Sequence, residues 1–219
     1  MGEPRVAPLE VAVIGAGRVG GALAGGLWRA GHRVTLAARD PGSASVAAAR
    51  ERAPGLRVAG PVDAVADADV VLLATPFAAY ADALAPVAPD LAGRVLVDCT
   101  NPVGAGLRHG LDSVRSGAET VQDLAPGARV VKAFSVYGVE NLEDNRFPGS
   151  AVPPAMPLCG EDAQAKALVA RLAADLGWRP LDVGGLAQAL HLEHMTLLWV
   201  RMVRAGGRSP HLTWAVLER

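Results

Sequence analysis

The stretch VAVIGAGRVGGAL, residues 11–23, constrains the fold more than any other part of the chain. Four apolar residues run into Gly15-Ala16-Gly17-Arg18-Val19-Gly20, and an alanine- and glycine-rich helical segment follows. An unbroken apolar run suits a strand buried on both faces. Glycines spaced G-x-G-x-x-G let such a strand turn at once into a helix that packs back on it. With 25 glycines in 219 residues the spacing alone is weak, so the context has to carry it. That context is a strand before, a helix after and a second strand from Arg33 to Ala38.

The alternation continues to the end of the chain. Further apolar runs lie at 56–59, 69–74, 94–98, 129–133, 156–160 and 178–183. Helices are expected at 18–30, 41–53, 77–88 and 162–176. A last helix is expected from Leu186 to about Ala205, with Leu190, Met195, Leu197, Leu198 and Val203 as its apolar positions. Strand-helix-strand repetition predicts an α/β fold of Rossmann type, a doubly wound and mostly parallel sheet ending in a C-terminal helix. Residues 9–219 read as one domain, residues 1–8 as a flexible start, and the four-proline stretch from Asn145 to Pro157 as a loop.

Several classes drop out. A net charge of -1 gives no reason to expect nucleic acid or an anionic membrane surface. No apolar run reaches the roughly 18 residues that a membrane span needs. Two distant cysteines, Cys99 and Cys159, make neither a disulfide framework nor a metal motif. A reducing, cytoplasmic setting is the expectation.

In its context the glycine turn predicts a dinucleotide site. Gly15 allows the tight turn, Gly17 lets the backbone approach a pyrophosphate, and Gly20 lets helix and strand pack closely. The helix N-terminus, opening at Arg18 and Val19, offers unpaired N–H groups to the phosphates. The end of the second strand selects the nucleotide. An acid there would bond the ribose hydroxyls of NAD, but the last inward position is Ala38. Arg39 follows and can pair with a 2′-phosphate, so NADP is favoured. Asp40 is the counter-argument; before Pro41 and a helix it reads better as an N-cap.

Ligands of such a sheet sit beyond the carboxyl ends of its strands. Those ends read Thr75-Pro76-Phe77, Cys99-Thr100-Asn101-Pro102 and Lys132-Ala133-Phe134-Ser135. Thr75 and Pro76 can pack on the ribose and ring. Asn101 can bond the carboxamide or a substrate, or simply make a turn. Lys132 is either a snorkelling rim residue or a group that meets substrate, and Cys99 reads as core. His191 and His194 with Glu193 are too few for a metal site and read as a helix face. If the reaction needs a proton donor, the candidates are Lys132, Tyr137 and His191, in that order.

The chain resembles the NADP oxidoreductase family that includes NADPH-dependent reductases of the deazaflavin coenzyme F420; the membrane-bound STEAP metalloreductases carry a related cytosolic domain. The resemblance runs from Val11 to about Arg204. It rests on VIGAGRVGGALAGGLWRAGH, Ala38-Arg39, ATPF, LVDCTNPV, VVKAFSVYGVENL and, above all, the late segment MPLCGEDAQAKALVARLAADLGWRPLDVGGLAQALHLEHMTLLW. It implies that Gly15, Gly17, Arg18, Val19 and Arg39 meet NADP(H), and that Thr75, Pro76 and Asn101 line the nicotinamide side. This chain reads GAGRVG where those F420 reductases read GGTGxxG, and it has Ala38 and Asp40 in place of a serine and a basic residue.

The expected activity is hydride transfer from NADPH to a second bound molecule. That acceptor is coenzyme F420 or another redox cofactor; the alternatives are an imine, enone or carbonyl of a biosynthetic pathway, or no acceptor at all in a regulatory module. Pyrroline-carboxylate and 3-hydroxyacid reductases begin alike but add a helical domain, for which the residues after 183 leave little room. Trp199, Met202 and the tail HLTWAVLER offer apolar surface, from which a homodimer is expected.

Overall fold

The computed structural model describes residues 7–219. Eight strands form one continuous sheet, β1 (Glu10–Ile14), β2 (Arg33–Ala37), β3 (Arg57–Ala59), β4 (Val70–Leu73), β5 (Val95–Asp98), β6 (Arg129–Lys132), β7 (Ala155–Gly160) and β8 (Arg179–Asp182). Their order is β3-β2-β1-β4-β5-β6-β7-β8. The first six are parallel; β7 runs antiparallel to β6, and β8 parallel to β7. The chain order reverses between β1 and β4, and the glycine turn leaves the sheet at that switch point.

The sheet is the Rossmann-type α/β arrangement expected, and each apolar run became a strand. Burial explains why: the residues of β4 are all inaccessible, and β1 is nearly so from Val11 onward. Residues in this position must be apolar on both faces. Around the sheet lie α1 (Arg18–Arg29), α2 (Ala44–Arg52), α3 (Pro61–Ala66), α4 (Tyr80–Leu84), α5 (Gly117–Leu124), α6 (Val139–Glu143), α7 (Ala163–Asp175) and α8 (Ala189–Val200). The first stops in a Schellman motif: Gly31 takes φ +100°, His32 N–H donates to Leu27 O and Gly31 N–H to Trp28 O.

Three helical expectations change. The helix expected over 77–88 is a short 3-10 turn at Phe77–Ala79 followed by α4, which ends before Pro86; proline lacks the N–H that would continue it. The helix expected from 41 begins at Ala44, and its N-cap is Ser43. Asp40 does not cap it; its Oδ1 accepts from Gly42 N–H at 2.9 Å in a local turn. The inward face of α8 also differs. Ala189, Leu192, Glu193, Thr196 and Trp199 are buried, while Leu198 is half exposed and Leu190, Met195 and Leu197 are only partly covered. Apolar residues surround this helix, so hydropathy does not select a face, and polar partners in the core do.

The expectation of a flexible start at residues 1–8 lies, for residues 1–6, outside the described residues. Ala7 is tied down, its carbonyl accepting from Arg171 Nη2. Trp199 does not contribute surface: it is 2% exposed, and its Nε1–H donates to Leu212 O at 2.7 Å. Much of the tail's apolar content is thus used within the chain, with Trp214 packed against the core and Leu217 left outside.

Candidate functional site

The glycine turn is close-packed on one side and open on the other. A Cβ on Gly20 would lie 1.9 Å from Gly15 O, and one on Gly15 would lie 2.7 Å from Ala74 O. Gly15 also has φ +114°, which a side chain would strain. A Cβ on Gly17 would meet nothing within 4 Å. So Gly15 and Gly20 serve the fold, and Gly17 faces the space where a pyrophosphate would approach. The first turn of α1 carries no acid, and Val19 there is only partly covered. Arg18 extends outward, 3.8 Å from Glu140 Oε1.

From this turn a cleft of about 330 Å³ runs out between β2 and the loop after β4. Gly15, Ala38, Arg39, Asp40, Thr75, Pro76 and Ala79 line it, together with Ser43 and Ser45 at the start of α2. The two serines were not foreseen; the signal was there in the Asp-Pro-Gly-Ser turn right after Arg39, since serine before a helical run marks an N-cap. Two hydroxyls and the opening of α2 thus share one wall with Arg39.

The inner end of the cleft differs in kind. There Thr75 lines the cleft, and behind that wall Thr75 Oγ1, Asn101 Oδ1 and Ser135 Oγ are buried without a hydrogen-bond partner among the described residues. They stand at the carboxyl ends of β4, β5 and β6. Asn101 Nδ2 donates to Ser135 O at 2.8 Å, and the single Thr196 hydroxyl proton is shared between the same oxygen at 3.1 Å and Leu192 O at 3.0 Å. Phe134, which precedes Ser135, holds φ +57° while fully buried, a conformation that costs a side-chain-bearing residue about 1–2 kcal/mol. Buried polar atoms are normally satisfied. Three unpaired oxygens at neighbouring strand ends, with an open cradle at Gly17, fit a bound dinucleotide.

The proton-donor candidates are placed elsewhere. Lys132 is not at the rim; it is inaccessible, with Nζ 2.9 Å from Asp98 Oδ2, 3.1 Å from Glu193 Oε1 and 2.5 Å from Thr100 O. Burial pushes its ammonium pKa down, but Asp98 and Glu193 more than offset this and hold it above the usual lysine value. Tyr137 donates to Ala155 O at 2.7 Å and stacks on Trp178. Burial pushes its phenol up to about 12. His191 is exposed on α8. Burial likewise pushes the Cys99 thiol up, as suits a core residue.

The helix-face reading of Glu193 fails, because its side chain is buried in the Lys132 cluster, and Asp98 and His109 of that cluster were not foreseen. Glu193 points into the core, where it accepts from His109 Nε2 at 2.8 Å and from Gly117 N–H at 2.9 Å. His109 Nδ1 faces the N–H groups of Leu111 and Ser113, both at 3.2 Å, which assigns the proton to Nε2. The helix that Glu193 caps, α5, was legible as a capping box: Ser116 and Glu119 exchange side chain-to-backbone bonds. His194 turns the other way, to Ser113 Oγ at 2.9 Å.

Comparison with known proteins agrees with this architecture. Residues 10–102 match the family model described as NADP oxidoreductase coenzyme F420-dependent. A crystal structure from Arthrobacter sp. FB24, provisionally assigned as an F420-dependent NADP reductase, is 33% identical with a TM-score of 0.79, covering 91% of this chain and 95% of that one. The chain belongs to this family. It is an NADP-dependent oxidoreductase. Metalloreductase STEAP3 of Rattus norvegicus is 31% identical over 89% of the chain, which spans only 37% of that relative's length. The imine reductase of Myxococcus stipitatus in complex with NADP+ shares the fold, with a TM-score of 0.65 at 22% identity, covering 90% of this family member and 63% of that chain. No helix among the described residues is long and apolar enough to cross a membrane.

Proposed function

We propose that this chain moves a hydride from NADPH to a second planar redox molecule, coenzyme F420 by family likeness, held against the inner end of the cleft. The observation that carries the reading is that inner end. Thr75 bounds it, the unpaired Thr75 Oγ1, Asn101 Oδ1 and Ser135 Oγ are buried beside it, and Lys132 and Tyr137 are committed elsewhere. Thr75, Asn101 and Ser135 can bind and orient but do not titrate, so they supply no acid or base. Transfer between two redox rings needs no more, because alignment at near-attack distance supplies much of the rate.

The chain's own residues divide the work. The backbone at Gly15, Gly17, Arg18 and Val19 receives the pyrophosphate, with Gly20 keeping α1 against the strand. Arg39, Ser43 and Ser45 take the 2′-phosphate. Thr75 and Pro76 bound the ribose and ring, and Asn101 accepts from the carboxamide. Bound NADPH supplies the hydride and leaves as NADP+, and water supplies the proton that balances the reduced acceptor.

The test is a titration with NADPH and NADH, followed on the same sample by the nicotinamide absorbance band after F420 is added. Preference for NADPH and rapid loss of the band support the reading. Tight NADPH binding with no loss removes F420 and points to an imine, enone or flavin; no loss with any acceptor points to a regulatory module. A homodimer and a cytoplasmic setting belong to the same proposal. Leu198 is 50% exposed and Leu217 81%, and both cysteines are free buried thiols. A monodisperse monomer at micromolar concentration in light scattering would remove the dimer.

A further inference from the structure

The Lys132 cluster is costly for what it adds to stability. Each ion brought out of water costs several kcal/mol, and well-packed apolar side chains often replace a buried ion pair without loss. What the cluster does do is fasten two elements that meet at Ser135. On one side, Asp98 Oδ1 accepts from Thr100 N–H at 2.9 Å and from Thr100 Oγ1 at 2.7 Å, while Lys132 binds Thr100 O. The turn after β5 is thus held from three directions, and the next residue is Asn101. On the other side, Glu193 ties α8 to Lys132, to His109 and to the N-terminus of α5. Thr196 lies one helical turn further along α8. Asn101 donates to Ser135 O, and Thr196 shares its hydroxyl proton between that oxygen and Leu192 O.

We propose that Lys132 and Glu193 are positioning residues for hydride transfer: their ion pair joins the turn after β5 to α8 and so sets Asn101 and Ser135 at the inner end of the cleft. The charges balance for this task. One ammonium faces two carboxylates, and the N–H groups opening α5 offset the remaining negative charge at Glu193. The proposal rests on the assignment of the inner end to the nicotinamide; it does not depend on which acceptor is used.

The experiment uses Glu193→Gln in the full chain. Glutamine keeps the shape and one acceptor oxygen but removes the charge that Lys132 meets. The outer-half probe is 2′,5′-ADP, which reaches Arg39 and not Asn101. Its affinity should stay within about twofold, whereas NADPH affinity should fall about 3–10-fold and the emission of bound NADPH should change. In single-turnover reduction of F420 the rate should fall at least about tenfold. The effects of Glu193→Gln and Asn101→Ala should be less than additive, because one acts through the other. Should Glu193→Gln not fold, Thr196→Val removes one grip on Ser135 O with every charge left in place, and should shift the same readouts in the same direction. Equal losses for 2′,5′-ADP and NADPH, full additivity with Asn101→Ala, or unchanged NADPH emission in both variants would overturn the proposal. If wild-type protein binds NADPH but does not reduce F420, the acceptor assignment fails alone, and the binding and emission readouts still decide the positioning role.

Discussion

The outer end of the cleft is lined by Arg39 and Asp40, both exposed on one short loop, with Ser43 and Ser45 close behind in sequence. The inner end is bounded by Thr75, with Asn101 and Ser135 buried behind it; the three follow three different strands, and Thr196 of α8 lies 3.1 Å from Ser135 O. Local chain makes the first; long-range contact makes the second. The outer groups can adjust to a phosphate at little cost, whereas the inner ones are held by neighbours that are themselves buried. This difference suits a cofactor gripped at one end and aligned at the other.

The largest effect should come at the glycine turn. Gly20→Val must push against Gly15 O, so thermal denaturation should show a midpoint lowered by about 10 °C or more. Gly17→Ala meets no protein atom. It should melt like wild type and yet bind NADPH on the order of 10–100-fold more weakly. If Gly17→Ala instead binds normally, the pyrophosphate is not there and the division of the cleft fails.

The next two variants separate the ends. Arg39→Ala should weaken NADPH by about 1.5–3 kcal/mol, the scale of a charged hydrogen bond, and leave NADH nearly unchanged in fluorescence titration. Equal losses for both cofactors would refute the 2′-phosphate assignment. Asn101→Ala should do the opposite, lowering the transfer rate about tenfold while 2′,5′-ADP binds as before.

The smallest effect is expected outside both ends. His32 is buried, with its ring between Leu9 N–H and Asp175. Burial pushes its pKa below the usual 6.5, although Asp175 pulls it up. The folded state therefore prefers the neutral ring. That contribution to stability is complete above the unfolded value and is lost as pH falls from it through the folded one. Melting curves between pH 7 and 5 should show this slope, and His32→Gln should flatten it without touching NADPH affinity.

Much of this molecule is legible from its residues. The central strands announce themselves because a parallel strand covered on both faces has to be apolar throughout, as VAVI, VVLL and VLV are, whereas the edge strands β3 and β8 are part exposed and carry Arg57, Arg179 and Asp182. The glycine turn is equally plain, since a side chain at Gly20 would run into Gly15 O. The inner site was only half visible. Asn101 and Thr75 stand out because they are polar residues at the ends of apolar strands, but Ser135 gave no such signal beside Lys132. In sequence alone Lys132 reads as a rim or substrate group because a lone lysine after two valines has no partner in its own neighbourhood. Its partners Asp98 and Glu193 are 34 residues before it and 61 after it.

Sequence by itself therefore determined the strands and the glycine turn and marked Arg39 beside it, because each depends on residues close together in the chain and on steric rules that act locally. Tertiary structure decided which face of α8 turns inward, where the charge of Lys132 is met and which oxygens are left free beside Asn101. Those outcomes depend on pairing across the sheet, where Leu73 lies beside Asp98 and Asp98 beside Lys132. They depend also on a helix whose hydropathy is nearly even all round, so only its buried partners could choose its orientation.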